Sequence, residues 1–455
     1  MLLDCIGQTK PSWLSEPEQQ HRSFRIQPRD RWLFQSNLPL TSSAGSGTIQ
    51  LLEAGKHVES LLLYRQISDT EKLAVSSRNQ FEKILFGESL GIAESSDSNT
   101  TFDRASIWLH NCLDNHTSCR PKYASFMPSR ILQLYQTPQD MVSLIESSAL
   151  IAPAPYVALS YCWGPDTAGV LKTVKSNKAS HLQGIPVKSL PKTIQDAVTV
   201  CRKLNVRYLW VDALCILQDD IDDWNKEAAQ MAVIYANSHF TLVAREPKSC
   251  KQGFLGSQRF GSPDWQRALA VTVPESLGGS NGQILVRDGH LESYALKSLD
   301  SRAWCLQESA LTKRRLVFDD CELSWQCMEK AMCECGHLDE DVDGDSSYLK
   351  TTRDSIQKPE GDTMYFQLHR EWMDLVEQYS QRSLTKSGDK LVAISGLAKL
   401  FQENLTRTAH LSADTHIIAL FREELVRPDM VMGVIRRSYH VSALGNGGEQ
   451  LDRYQ

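Results

Sequence analysis

The sequence predicts an α/β fold: a Rossmann-like, largely parallel sheet core followed by a helical C-terminal region. Three observations predict it. Short apolar runs at 156–161, 208–216 and 239–244 read as buried strands, each closed by a turn or a polar break. Between them lie stretches in which apolar residues recur at helical spacing, and strand–helix alternation of this kind builds parallel sheets. From Phe366 onward the periodicity is helical, with Trp372, Leu375, Val376 and Tyr379 on one face.

Taken in order, residues 1–125 form an irregular N-terminal region that contains one Cys/His helix near Ser106–Cys112, and Glu94–Thr101 reads as an exposed linker. The first strand of the core is Tyr156–Tyr161, ended by Trp163-Gly164-Pro165-Asp166. Leu190–Leu204 is a helix: Pro191 suits a first turn, and Ile194, Ala197, Val198, Cys201 and Leu204 share a face. Tyr208–Ile216 is the next strand. The helix over 222–235 follows, capped by Asp222 or Asp223, with Glu227 facing solvent or a salt bridge. His239–Ala244 and Gln283–Arg287 are further strands. A helix carries Glu308, and Arg315–Phe318 with Cys321–Cys327 forms a hairpin. The core domain spans 150–330 and the mostly helical C-terminal region spans 360–455.

Composition narrows the function classes. A net charge of −6 provides no basic footprint for nucleic acid. No apolar run reaches the ~18 residues of a membrane span. Met1–Gln8 has an early acid and no basic stretch before a long apolar core, so no secretory signal is expected. Twelve cysteines without such a signal point to a reducing compartment, and the expected location is cytoplasmic.

The chemistry-bearing residues fall into three groups. Glu308 lies one helical turn after Trp304 in an apolar stretch, where a carboxylate is costly unless it is paired or used. It is either a catalytic carboxylate or the partner of Arg302 or Arg314 in a helix lock. Ligands collect at the carboxyl ends of parallel strands, which makes Ser160, Tyr161, Trp163, Gly164, Asp212 and Gln218, together with Trp304, candidates for binding a ligand. Cys112, His116 and Cys119 stand at i, i+4 and i+7. A fourth ligand from the group Cys321, Cys327, Cys333, Cys335 and His337 would complete a tetrahedral zinc site, the alternative being buried free thiols. Cys162, with His181, His239 and His290 elsewhere, is expected to be structural rather than nucleophilic.

Three blocks carry a family resemblance. They are Tyr156-Val-Ala-Leu-Ser-Tyr-Cys-Trp-Gly164; Leu190-Pro-Lys-Thr-Ile-Gln-Asp-Ala197 through Tyr208-Leu-Trp-Val-Asp-Ala-Leu-Cys-Ile-Leu-Gln-Asp-Asp220 to Asp223-Trp-Asn-Lys-Glu-Ala-Ala-Gln-Met231 and Ile234-Tyr235; and Arg302-Ala-Trp-Cys-Leu-Gln-Glu308 with Arg314. Together they closely resemble the fungal heterokaryon incompatibility (HET) domain, departing from it at Asn237-Ser238, where an alanine is common. The flanking Trp108-Leu-His-Asn-Cys112-Leu-Asp-Asn-His116-Thr-Ser-Cys119 and the stretch from Trp372 to Gly396-Leu-Ala398 also resemble members of that family. The resemblance implies a factor in fungal non-self recognition that triggers cell death, acting with its own kind or with a protein partner. A shorter stretch, Trp304–Glu308, is similar to the helix of Toll/interleukin-receptor (TIR) domains that carries the catalytic glutamate of NAD-cleaving members. This implies a TIR-like core, NAD as substrate rather than a tightly held cofactor, and Glu308 at the ribose. Two alternatives stand beside it: a non-catalytic self-associating signalling module, and an enzyme recruited to fungal secondary metabolism.

Overall fold

The computed structural model describes residues 24–28, 47–53, 56–67, 87–93, 95–120, 126–135, 140–256, 267–272, 281–288, 298–319, 322–334, 340–341, 364–384 and 387–409. In chain order the strands are β1 (Phe24–Pro28), β2 (Gly47–Glu53), β3 (Lys56–Ile67), β4 (Gly87–Leu90), β5 (Arg130–Gln133), β6 (Met141–Glu146), β7 (Tyr156–Ser160), β8 (Ile185–Pro186), β9 (Tyr208–Trp210), β10 (Phe240–Ala244), β11 (Arg267–Thr272), β12 (Asn281–Asp288), β13 (Arg314–Phe318), β14 (Leu323–Cys327), β15 (Lys330–Cys333) and β16 (Glu340–Asp341). The α-helices are α1 (Asn99–Asn115), α2 (Lys178–Gln183), α3 (Lys192–Lys203), α4 (Asp212–Cys215), α5 (Ile221–Asn237), α6 (Ala303–Leu311), α7 (Met364–Ser380) and α8 (Val392–Ala409).

The predicted α/β class holds. A ten-stranded sheet runs β16-β15-β14-β13-β10-β7-β9-β5-β6-β8. Its centre is parallel: β7 pairs in parallel with both β9 and β10, and β10 with β13. Every residue of β7, β10 and β13 is buried, as befits strands covered on both faces. From β7 the chain crosses over through α2 and α3 to β9 on one side. It then returns through α4 and α5 to β10 on the other. The connections therefore diverge at the carboxyl end of β7, the switch point at which open α/β sheets bind ligands. Antiparallel strands flank this core on both sides.

Local chemistry explains the helices around it. The apolar stripe of α3, with Ile194, Ala197, Val198 and Cys201, is buried, and Arg202 and Lys203 sit in its last turn, where cations favour the helix dipole. The Tyr156 hydroxyl donates to Ile234 O (2.6 Å) and the Tyr235 hydroxyl to Leu159 O (3.0 Å), so both ends of β7 are tied to α5.

Several expectations are corrected. The strand expected over 208–216 stops at Trp210, because Asp212 turns the chain into α4 and accepts the Ala213 N–H. The cap of α5 is Asp220, whose carboxylate accepts from the N–H groups of Asp222 and Asp223. Asp223 is drawn instead to Arg130 (2.5 Å) and to the Leu217 N–H. Of the two readings of Glu227 the salt bridge holds and solvent does not: it is fully buried, 4.0 Å from the same Arg130. The supposed linker at 94–101 is anchored: Ser96 and Thr101 are buried, and Ser98 caps α1. Within the stretch read as irregular, β1 to β4 join β11 and β12 in a second, six-stranded sheet. Its two halves join where β3 pairs with β12, some two hundred residues on in the chain, and no local pattern announces that pairing. Of the acidic stretch 336–363, only β16 falls within the described residues.

The helical C-terminal region follows expectation through Ala409, and 410–455 lie outside the described residues. Trp372, Leu375, Val376 and Tyr379 of α7 pack with Ala393, Ile394, Leu397 and Phe401 of α8 onto Ala303, Leu306, Ala310 and Leu311 of α6. Helices α5, α6 and α8 meet closely at Gly396, whose N–H donates to Gln307 Oε1 (3.0 Å). A Cβ there would lie 2.5 Å from Ala232 Cβ. Gly396→Val is expected to cost about 1–3 kcal/mol, as overpacking does. Thermal melts should show the loss, and limited proteolysis should cut α7 and α8 free earlier than in the unaltered protein.

Candidate functional site

Among the described residues, chemistry-bearing side chains singled out above form two polar clusters at opposite rims of the parallel strands. The first is at the carboxyl rim. Glu308, on α6, is 6% exposed, and its Oε2 accepts from Ser160 Oγ, at the end of β7, at 2.5 Å. Beside it, Asp212 at the start of α4 accepts from Trp163 Nε1 (2.8 Å) and faces the Tyr161 hydroxyl. Arg302, the residue before α6, donates to Tyr161 O and lies in the electrostatic field of both carboxylates. Residues from the ends of β7 and β9 and from α6 thus meet at the switch point. Gly164 is needed for the turn after β7: its φ is +93°, and a Cβ would lie 2.6 Å from Ser249 Oγ.

The charges balance against burial. Burial raises the Glu308 carboxyl; Arg302 and the Ser160 hydroxyl oppose it, and Asp212 adds to the rise. Burial likewise raises Asp212, against Trp163 and Arg302. For Arg302, burial works to lower the value, but Cys305, Glu308 and Asp212 outweigh it and hold the guanidinium charged. Cys162 and Cys305 are both raised by burial and remain thiols. His181 is engaged with Thr173 (3.0 Å), and His239 lies by Arg314 at the other rim, pushed down to about 4 by burial. Cys162 therefore has neither imidazole as a base; His290 is outside the described residues.

The predicted residues are not all brought together. Ser160 meets Glu308, while Tyr161 and Trp163 meet Asp212. Gln218 spends its amide on the backbone oxygens of Asp212 and Ile216, bracing the loop. Trp304 packs edge-on against Trp224, with ring centroids 6.5 Å apart. Of the two arginines that might pair with Glu308, Arg302 is the neighbour. Arg314 belongs to the second cluster.

That second cluster contains Cys112, His116, Cys119 and Cys327, all buried, with their ligand atoms within 4.8 Å of one another. Cys112 is in the last turn of α1, and His116 is the helix C-cap. Cys119 is not on the helix as its spacing suggested; the chain turns after His116 and brings it back. Cys327 ends β14, opposite Arg314 in register. Cys327 is held below the ordinary thiol value because Cys112 and Cys119 donate to it. The donor set is that of a soft-metal site.

The fold and the carboxyl-rim cluster define an α/β domain with a buried carboxylate at its switch point, and comparison with known proteins gives its family. Residues 156–308 match the family described as Heterokaryon incompatibility protein (HET), so this stretch is a HET domain that begins with β7 and ends on Glu308. Heterokaryon incompatibility protein 6, OR allele, of Neurospora crassa is 28% identical over 110 residues, which cover 23% of this chain and 16% of that protein. The chain therefore matches only a small part of its curated relative's length. No solved structure matches. Among the described residues no helix is long and apolar enough to cross a membrane.

The raised Glu308 value has a consequence for stability. The folded state holds that proton more tightly than the unfolded chain. The resulting stability is complete below the ordinary glutamate value and is lost as pH rises through the raised one. Glu308→Gln, neutral throughout, should melt level with the unaltered protein near the ordinary carboxylate value and above it at neutral pH. Melts across that range check this; a gap that fails to widen toward neutral pH contradicts it.

Proposed function

We propose that this chain is a fungal incompatibility factor whose HET domain cleaves the nicotinamide–ribose bond of NAD, with Glu308 as the key carboxylate. The observation that carries the reading is the Ser160–Glu308 hydrogen bond, which ties a buried carboxylate to the carboxyl end of β7. In the step proposed, the C–N bond to nicotinamide breaks with its electron pair leaving on the ring nitrogen. The ribose then bears oxocarbenium character, which an adjacent carboxylate stabilises. Water adds to the ribose carbon and loses a proton, so the products are nicotinamide, ADP-ribose and H⁺. Ser160 and Arg302 oppose burial and favour the charged form of Glu308 that this requires. Asp212 supplies an acceptor for a ribose hydroxyl, and Trp163 an aromatic face for a base. The relative's name supports a role in heterokaryon incompatibility; in the role proposed, recognition acts by self-association or through a protein partner and ends in growth arrest.

The rival reading has the same bond serve only to lock α6 onto β7 in a non-catalytic, self-associating module. Nicotinamide release from NAD, followed by chromatography at high protein concentration, separates the two. Glu308→Gln should lower release by about 10²–10⁴-fold, the range for a positioned carboxylate in catalysis, while staying folded by thermal melt. Absence of release from the unaltered protein, with Glu308→Gln still arresting growth when expressed in a fungal host, would establish the rival.

A further inference from the structure

We propose that Cys112, His116, Cys119 and Cys327 bind one zinc ion in a closed structural site that clasps α1 to the β14–β15 hairpin, with Arg314 as its charge-compensating neighbour. This inference is independent of the proposed reaction. Ligands at ~2.3 Å from a common zinc define a tetrahedron with edges of about 3.8 Å. The four atoms here lie within 4.8 Å of one another, and His116 Nδ1 is already 3.3 Å from Cys327 Sγ. An inward shift of about an ångström at most closes the site around an ion.

The surroundings are built for thiolates rather than for thiols packed as small hydrophobes. The Lys330 N–H donates to Cys327 Sγ (3.3 Å) across the two-residue turn between β14 and β15. Arg314 Nε donates to Cys112 Sγ (3.2 Å), and its Nη2 donates to Cys119 O (2.7 Å). Three thiolates against a dication leave one negative charge, which the buried guanidinium matches. Neighbouring contacts stitch the same two segments together: the Ser118 N–H donates to Glu329 Oε1 (2.8 Å), and Lys313 donates to Arg120 O. Among the described residues, this is the group of three or more Cys, His, Asp or Glu side chains that converges on a common point.

The site's place in the fold makes its role structural. Four protein ligands leave no open position for substrate or water. Cys327 pairs with Arg314 at the first residue of β13, and Thr241 pairs with Arg315, so the site is at the amino rim of the parallel strands. Ser160 pairs with Val243 and Val243 with Val317, toward the carboxyl rim. Binding exchanges the ion for thiol protons, and the gain is folding energy. The residues that make the clasp, Cys112 to Cys119 and Cys327, lie outside the 156–308 family match.

Elemental analysis of the full chain, purified under reducing conditions, should find one zinc per chain. Cys327→Ser should lower zinc content and melting temperature together, while Cys250→Ala, another buried cysteine, should leave zinc unchanged. Since loss of a ligand can unfold the protein, cobalt(II) exchange into the unaltered chain provides a second reading: sulfur-to-cobalt charge-transfer and tetrahedral d–d bands are expected. Arg314→Gln should keep the site but weaken zinc retention against a competing chelator by about 10- to 100-fold, as changes beside metal ligands do. A folded, reduced protein that carries no stoichiometric metal and gives no cobalt spectrum overturns the proposal, as does a disulfide found among these three cysteines.

Discussion

The position of β7, paired in parallel on both sides, is the constraint on which the rest of the structure depends. A strand buried on both faces and both edges can carry polar chemistry only at its ends. Its backbone pairs with β9 over Tyr156–Ala158 and with β10 over Val157–Ser160, and Val157, Ala158 and Leu159 lead up to Ser160 as an apolar run. The connections diverge at its carboxyl end, and that divergence opens the place where α6 can bring Glu308 onto Ser160. The buried charge is tolerable there because Arg302, Asp212, Trp163 and Tyr161 arrive from neighbouring loops with matching donors and acceptors.

The two rims divide the labour. At the carboxyl rim, burial raises the Glu308 and Asp212 carboxyl groups while Arg302 opposes the rise. At the amino rim, sulfur and imidazole from α1 and the β14–β15 hairpin converge beside Arg314. The HET match covers the parallel strands β7, β9 and β10 and ends on Glu308. Yet β13 completes the parallel core, α1 packs into it, and α7 and α8 cover α6. The cooperative unit is thus larger than the stretch that resembles other proteins.

The family and the α/β class were legible because they rest on local signals. Apolar runs, helical stripes and the Trp-Gly-Pro turn each report on a few neighbouring residues, and the three motif blocks preserve their order. Glu308, Ser160 and Asp212 were legible as candidates for the same reason: each is a polar residue at the edge of an apolar run. The cap of α5 was misread because three aspartates stand within four residues. Only geometry shows that Asp220 caps while Asp223 is spent on Arg130.

By itself the sequence determined the core strands β7, β10 and β13 and the helices α3, α5 and α6, since backbone preference and burial periodicity are short-range. Tertiary structure alone decided the partnerships. Arg302 rather than Arg314 neighbours Glu308, and Cys327 rather than another of the later cysteines joins Cys112, His116 and Cys119. Gln218 turns to the backbone instead of the cluster. The physical reason is common to all three. Which side chains meet depends on strand order and register across hundreds of residues, and those are set by closing one core, for which no local pattern encodes the distance.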